Sequence, residues 1–281
     1  MKLLLFILTF LSFNVYGQKS PTENAQPIVA EGKLLYKSEM ASWYGTDLFL
    51  EKYKETQNIG GYFSYTDNEE AKCVFFSRTE IPKVIGTITF DNTFNIKTAN
   101  VDLIERDFTK NEYELFKIRK LALAEIQSDT MFKTYSNTSL NIIPIIYGKE
   151  KKVYVLTGPK NDGVVIFGND YLLTFNKNNK LTSKKSLHQN IIPIEYGGKT
   201  EEGEEVEASI HSHLPETGDF ITATDICTLM LYEKFAKWKS HNVISNKYLN
   251  IWNCEKNELV VISREVLEKI NNSQEEHNKG D

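Results

Sequence analysis

Val206-Glu207-Ala208-Ser209-Ile210-His211-Ser212-His213, followed after a polar loop by Thr222-Ala223-Thr224-Asp225, is the stretch on which the fold turns. Its alternation predicts a strand, and a strand sends residues two apart to the same face, so His211 and His213 point to one place. Thr222 reads as the N-cap of the next helix, predicted over residues 223–239, with Asp225 in a first turn whose dipole favours a carboxylate. Two neutral imidazoles and one carboxylate make a three-ligand set for Zn²⁺ that leaves a fourth position for water. The plainer alternative makes the histidines surface residues beside a polar loop and the Thr/Asp pair a helix cap alone. Ile226, Leu229, Met230, Leu231 and Phe235 read as core packing along that helix.

Outward from this point the pattern is strand and helix in alternation. Upstream, the runs 153–158, 163–168 and 171–175 read as core strands, and 176–179 as a turn. They are bracketed by an echo, Asn141-Ile142-Ile143-Pro144 and Asn190-Ile191-Ile192-Pro193. Two copies are too few for a solenoid, and an internal proline suits edge strands. Before them, Thr109-Lys110-Asn111-Glu112 forms a capping box, and Leu115, Ile118, Ala122 and Ile126 recur at helical spacing to about residue 129. Downstream, strands are predicted near 243–244, 248–252 and 259–262, with a short helix over 264–270. The expected class is α+β: a β-rich region over residues 32–108, then a metal-binding domain over 109–270 of mixed sheet flanked by helices.

His211-Ser212-His213, eight residues, then Thr222-x-x-Asp225 resembles the JAMM motif of the JAB/MPN-type zinc metallopeptidases. That motif runs His-x-His-Pro, a spacer and Ser-x-x-Asp, with a glutamate upstream of a strand ending in glycine. The resemblance covers residues 109–263 and implies one catalytic zinc per chain and hydrolysis of peptide or isopeptide bonds. Carried over by position, His211, His213 and Asp225 hold the metal, and Thr222 stands for the serine that stabilises the oxyanion. Glu150, ahead of Lys151-Lys152-Val153-Tyr154-Val155-Leu156-Thr157-Gly158, stands for the general base. The same glutamate also reads as a solvated turn charge, and His188 is an outside candidate for a further ligand. The sequence departs from the motif in three ways. Leu214-Pro215 replaces a proline directly after the second histidine, the spacer is one residue longer, and Val153 occupies a position usually held by a small residue.

The chain begins with Lys2, an apolar run from Leu3 to Phe13 and Val15-Tyr16-Gly17, the pattern of a cleavable signal peptide over residues 1–17. A periplasmic or secreted protein is therefore expected, with no membrane span after cleavage. Residues 18–31, polar and proline-containing, read as a flexible leader, and 271–281 as a disordered tail. A net charge of −5 with no basic stripe argues against a nucleic-acid partner. The three cysteines, Cys73, Cys227 and Cys254, have no CxxC spacing. One pair can bridge in an exported chain, but the apolar surroundings of Cys227 and Cys254 favour buried free thiols. The function classes left open are a zinc hydrolase acting on a peptide or protein, a degenerate JAMM-like domain used as a binding module, and a surface protein with adventitious metal binding.

Overall fold

In the computed structural model, residues 19–198 and 205–278 are described. The signal-peptide stretch, residues 1–17, lies outside them. The chain opens with α1 (Pro21–Lys52). A four-stranded antiparallel meander follows: β1 (Ile59–Asp67), β2 (Glu70–Ser77), β3 (Val84–Phe90) and β4 (Asn100–Asp102). Next come α2 (Lys110–Ser128), β5 (Thr138–Tyr147), β6 (Glu150–Pro159), β7 (Val164–Gly168), β8 (Tyr171–Phe175), β9 (Leu181–Ser186) and β10 (Ile191–Glu195). The last part is β11 (Ala208–Ser212), α3 (Ala223–Ala236), β12 (Ser240–Ile244), β13 (Tyr248–Asn253), β14 (Glu258–Ser263) and α4 (Arg264–Asn278). The class is α+β, as expected. Among the described residues no helix is long and apolar enough to cross a membrane.

The expected flexible leader at 18–31 and the strand-rich start at Gly32 are corrected by α1. Ser20 caps it, accepting from the Glu23 N–H while Glu23 reaches back to the Ser20 N–H, and Pro21 occupies the first turn. Its inward face is Ala25, Val29, Gly32, Leu35, Ser38, Ala41, Gly45 and Phe49, a stripe at helical spacing made mostly of small residues. Small residues let backbones approach. An added Cβ at Gly32 would stand 2.7 Å from the Ile226 Cβ of α3. The first half of α1 joins a core with Phe167, Ile221, Ile226 and Trp252, and its second half covers the meander through Ala41 and Phe49. We expect Gly32→Ala to lower the melting temperature by about 2–6 °C. Overpacking of ~1–3 kcal/mol outweighs the ~1 kcal/mol gained in helix preference. An unchanged or raised melting temperature by calorimetry would show that α1 does not dock on α3 there.

The expected disordered tail is also corrected over residues 271–278, which continue α4 from a helix already nucleated at Arg264. Elsewhere most sequence patterns carry through, except that Phe235, expected in the core, is exposed and stacks on Trp43. The Thr109–Glu112 capping box opens α2, with Leu115, Ile118 and Ala122 buried. β5 edges the sheet β5-β6-β8-β9, and β10 pairs only with β7, so both proline-bearing strands avoid a central position. Cys73, Cys227 and Cys254 are buried and free.

The last sheet, β11-β12-β13-β14, positions the site. β11 and β12 are parallel and joined through α3, whereas the other pairs are antiparallel. A parallel pair needs such a crossover, and it brings the carboxyl end of β11 beside the first turn of the crossover helix.

Candidate metal centre

β11 alternates as its sequence requires: Ser209 and His211 are buried, and Ala208, Ile210 and Ser212 face out. His213 prolongs the ladder, its N–H donating to the Ile244 carbonyl at 2.8 Å. At the start of α3, Asp225 is the third helical residue and its side chain is fully buried. The strand and the helix therefore aim three donors at one point. His213 Nε2 lies 3.2 Å from His211 Nε2 and 3.2 Å from Asp225 Oδ2. His211 Nε2 lies 3.8 Å from Asp225 Oδ1.

His188, between β9 and β10, is the fourth member. The Leu187 N–H donates to the Asp170 carbonyl at 2.8 Å and turns His188 inward. Its Nε2 reaches 3.3 Å from Asp225 Oδ1, and its Nδ1 is 3.7 Å from Asp170 Oδ2. The donor atoms of His188, His211, His213 and Asp225 all lie within 4.8 Å of one another, and all four residues are buried. This group could hold a metal ion.

Two observations test the fit. First, buried polar atoms without a hydrogen bond collect here: both ring nitrogens of His188, Nδ1 of His213 and Oδ1 of Asp225. Such atoms are costly unless something satisfies them, and a cation among the donors would satisfy His188 Nε2 and Asp225 Oδ1, whereas the two Nδ1 atoms face away from it. Second, tetrahedral donors at ~2.0–2.1 Å from zinc are separated by about 3.3 Å, close to the spacings found.

A polar chain behind the ligands fixes them. His211 Nδ1 contacts His241 Nε2 at 2.9 Å, and His241 Nδ1 contacts Ser209 Oγ at 2.7 Å. With a proton on His211 Nδ1 donated to His241, and one on His241 Nδ1 donated to Ser209, the lone pair of His211 Nε2 is left facing the other donors. Phe167 stacks on His241 at 4.7 Å and closes this side. Burial, opposed by Asp225, lowers His211 to about 4, and burial and His211 lower His241 to about 3. Both rings are therefore neutral near pH 7, the state a metal ligand needs. Burial pushes the Asp225 carboxyl up, but the facing His188 and His211 outweigh it and hold Asp225 well below the usual carboxylate range. Asp170, buried and accepting from the Thr157 N–H at 2.9 Å, is pushed up by burial to about 7 despite His188.

Two further residues were expected at the site, and the structure moves one of them, Glu150, away from it. The Thr222 hydroxyl donates to Asp225 Oδ2 at 2.7 Å, and the Thr222 N–H donates to the same oxygen at 2.9 Å. Thr222 therefore orients Asp225, and its hydroxyl is already engaged by that carboxylate. Glu150 opens β6 with its side chain 67% exposed and paired with Lys152 at 3.0 Å. Thr157, whose N–H holds Asp170, is seven residues further along the strand, roughly 23 Å at the rise of a β-strand. Glu150 is a solvated turn charge. His211, His213 and Asp225 are brought together as expected, and His188 joins them. Asp170, His241 and Ser209 carried no signal in the sequence, since they reach the site only through strand pairing and the turn before β8.

No protein-family model, curated protein or solved structure matches the chain.

Proposed function

We propose that this chain is an exported zinc hydrolase of peptide or isopeptide bonds, built on a JAMM-like arrangement in which His211, His213 and Asp225 hold the metal. Three observations support it. The His-x-His strand and the Asp helix converge with donors 3.2–3.8 Å apart, the buried Asp225 Oδ1 among them has no hydrogen-bond donor, and the start of the chain has the pattern of a signal peptide. The convergence is the observation that carries the reading. When bound, zinc polarises a carbonyl and lowers the pKa of water in its open position to about 7.

The residues of the chain divide the remaining work. His241 and Ser209 keep His211 in one tautomer, and Thr222 holds Asp225. His188, with Asp170 behind it, takes the place in which Glu150 was expected. It stands beside the ligands with a free Nε2, able to accept a proton and return it to a leaving nitrogen. Asp170 faces the Nδ1 side of the ring at 3.7 Å, an electrostatic neighbour and not a hydrogen-bond partner.

The second reading is a catalytically silent binding module, and one observation favours it. His188 Nε2 sits at the same spacing from Asp225 as the other donors, and a fourth protein ligand would close the coordination sphere, as in structural zinc sites. His188→Ala separates the two. The hydrolase reading expects one zinc per chain to remain, measured by elemental analysis. Release of amine from peptide and isopeptide amides should then fall by ~10²–10⁴-fold. The binding-module reading expects the metal to be lost and the wild type to turn nothing over.

A further inference from the structure

A second concavity lies between α1, the ends of β5 and β6, and α3, with a volume of about 330 Å³. Glu39, Trp43, Tyr62, Asn141 and Tyr232 line it, with Asp47 at its rim. Glu39, Trp43 and Asp47 are spaced four apart and so share one face of α1. The size suits a small ligand or a single side chain.

The chemistry of the lining is specific. Glu39 is partly buried, and Asn141 Nδ2 donates to its Oε2 at 2.8 Å. Among the described residues neither Glu39 nor Asp47 has a cationic partner within ion-pair distance, although surface carboxylates elsewhere in the protein are commonly paired. Arg119 neighbours Tyr62 and Cys73 but forms no ion pair with Glu39. Burial lifts the Glu39 carboxyl to about 7, which a cation in the cavity would reverse. Tyr62 and Tyr232 both feel this charge: after burial, Glu39 is the strongest influence raising each phenol. Trp43 is 6.2 Å from Tyr232, ring to ring. A carboxylate flanked by aromatic faces attracts a cation through both charge and ring quadrupole.

We propose that this cavity binds a primary alkylammonium group on a short methylene chain, the chemistry of a lysine side chain. With one donor from Asn141 in place, the Glu39 carboxylate keeps lone pairs on both oxygens that can accept from an ammonium, a compact charge on a flexible stem. The aliphatic stem would lie against Leu156 and Leu231, which also line the cavity. The cavity adjoins the candidate metal centre through Thr157, which lines it and whose N–H holds Asp170, but the proposal does not depend on the hydrolase reading.

The test is calorimetric titration of the full mature chain, with its metal chelated away, using Nα-acetyl-lysine methylamide. Its neutral isostere, Nα-acetyl-norleucine methylamide, is the control. We expect saturable binding of the lysine probe, at least about tenfold tighter than the control. Glu39→Gln, which keeps the Asn141 contact and the side-chain shape, should erase that preference. Trp43→Ala, at a position 43% exposed and so tolerant of truncation, should weaken binding several-fold. Absence of saturable binding, equal binding of the two probes, or a preference that survives Glu39→Gln would each overturn the proposal. Because metal is absent throughout, failure of the hydrolase reading leaves this result unaffected.

Discussion

On the proposed reading, Asp225→Ala should abolish metal binding at the candidate centre. The carboxylate is fully buried, held by two donors from Thr222, and stands 3.2 Å from His213 Nε2, 3.3 Å from His188 Nε2 and 3.8 Å from His211 Nε2. It is the one anionic member of the four-residue group, so its loss removes a donor and the only charge that offsets a divalent cation. Zinc affinity, measured by competition with a chromogenic chelator, should fall by well over the ~10–100-fold that loss of an outer-shell partner costs. Thr222→Ala and His241→Phe supply that smaller scale, since each releases a ligand without deleting it. The expected order is therefore wild type, then the Thr222 and His241 variants, then Asp225→Ala with no stoichiometric zinc. Full zinc occupancy in Asp225→Ala would place the metal elsewhere.

The parts of this centre that the sequence made legible share one property: they depend on local geometry alone. Period-two alternation aims His211 and His213 together, and a capping Thr puts Asp225 in the first helical turn, whatever the rest of the chain does. Asp170, Ser209 and His241 depend on which strand lies beside which. His241 meets His211 because β12 pairs in parallel with β11 across the α3 crossover, with Ser209 in register with His241, and no spacing in the chain encodes that pairing. Glu150 misled for the complementary reason. The strand after it does end in glycine as the motif requires, but its position at a hairpin tip is set by the β5–β6 register, in which Tyr147 faces Glu150. The helix α1 was hidden differently. Its inward face relies on Ala, Gly and Ser, so hydrophobic periodicity is faint, while Ser20-Pro21-Thr22-Glu23 carried a sufficient start signal that its polar surroundings obscured.

Glu112→Gln should destabilise the protein by about 2 kcal/mol at neutral pH, the scale of charged hydrogen bonds, since the carboxylate is buried but its Arg106 partner is 32% exposed. The capping box accounts for only one of this residue's contacts. Its side chain is 1% exposed and accepts from Arg106 Nη1 at 2.7 Å, Arg106 Nη2 at 2.8 Å and the Thr109 N–H at 2.7 Å, with the Tyr65 hydroxyl at 3.2 Å. Arg106 in turn is fixed by Thr87 on β3 at 3.0 Å, so one carboxylate ties the start of α2 to the meander. Gln offers one acceptor where the carboxylate offers two and removes the countercharge in direct contact with the guanidinium. Burial pushes the Glu112 carboxyl up, but Arg106 and Thr109 outweigh it and hold it below its ordinary value. A depressed folded-state pKa means the contribution is complete above the unfolded value of ~4.3 and fades as pH falls through the folded one. The stability gap between wild type and Glu112→Gln, from urea unfolding, should therefore be flat from pH 8 to about pH 5 and narrow below about pH 4. A gap that stays constant into acid would mean that the carboxylate's charge contributes nothing, and that α2 is held to the meander by packing of Leu115 and Phe116 against Phe63, Val74 and Phe76 alone.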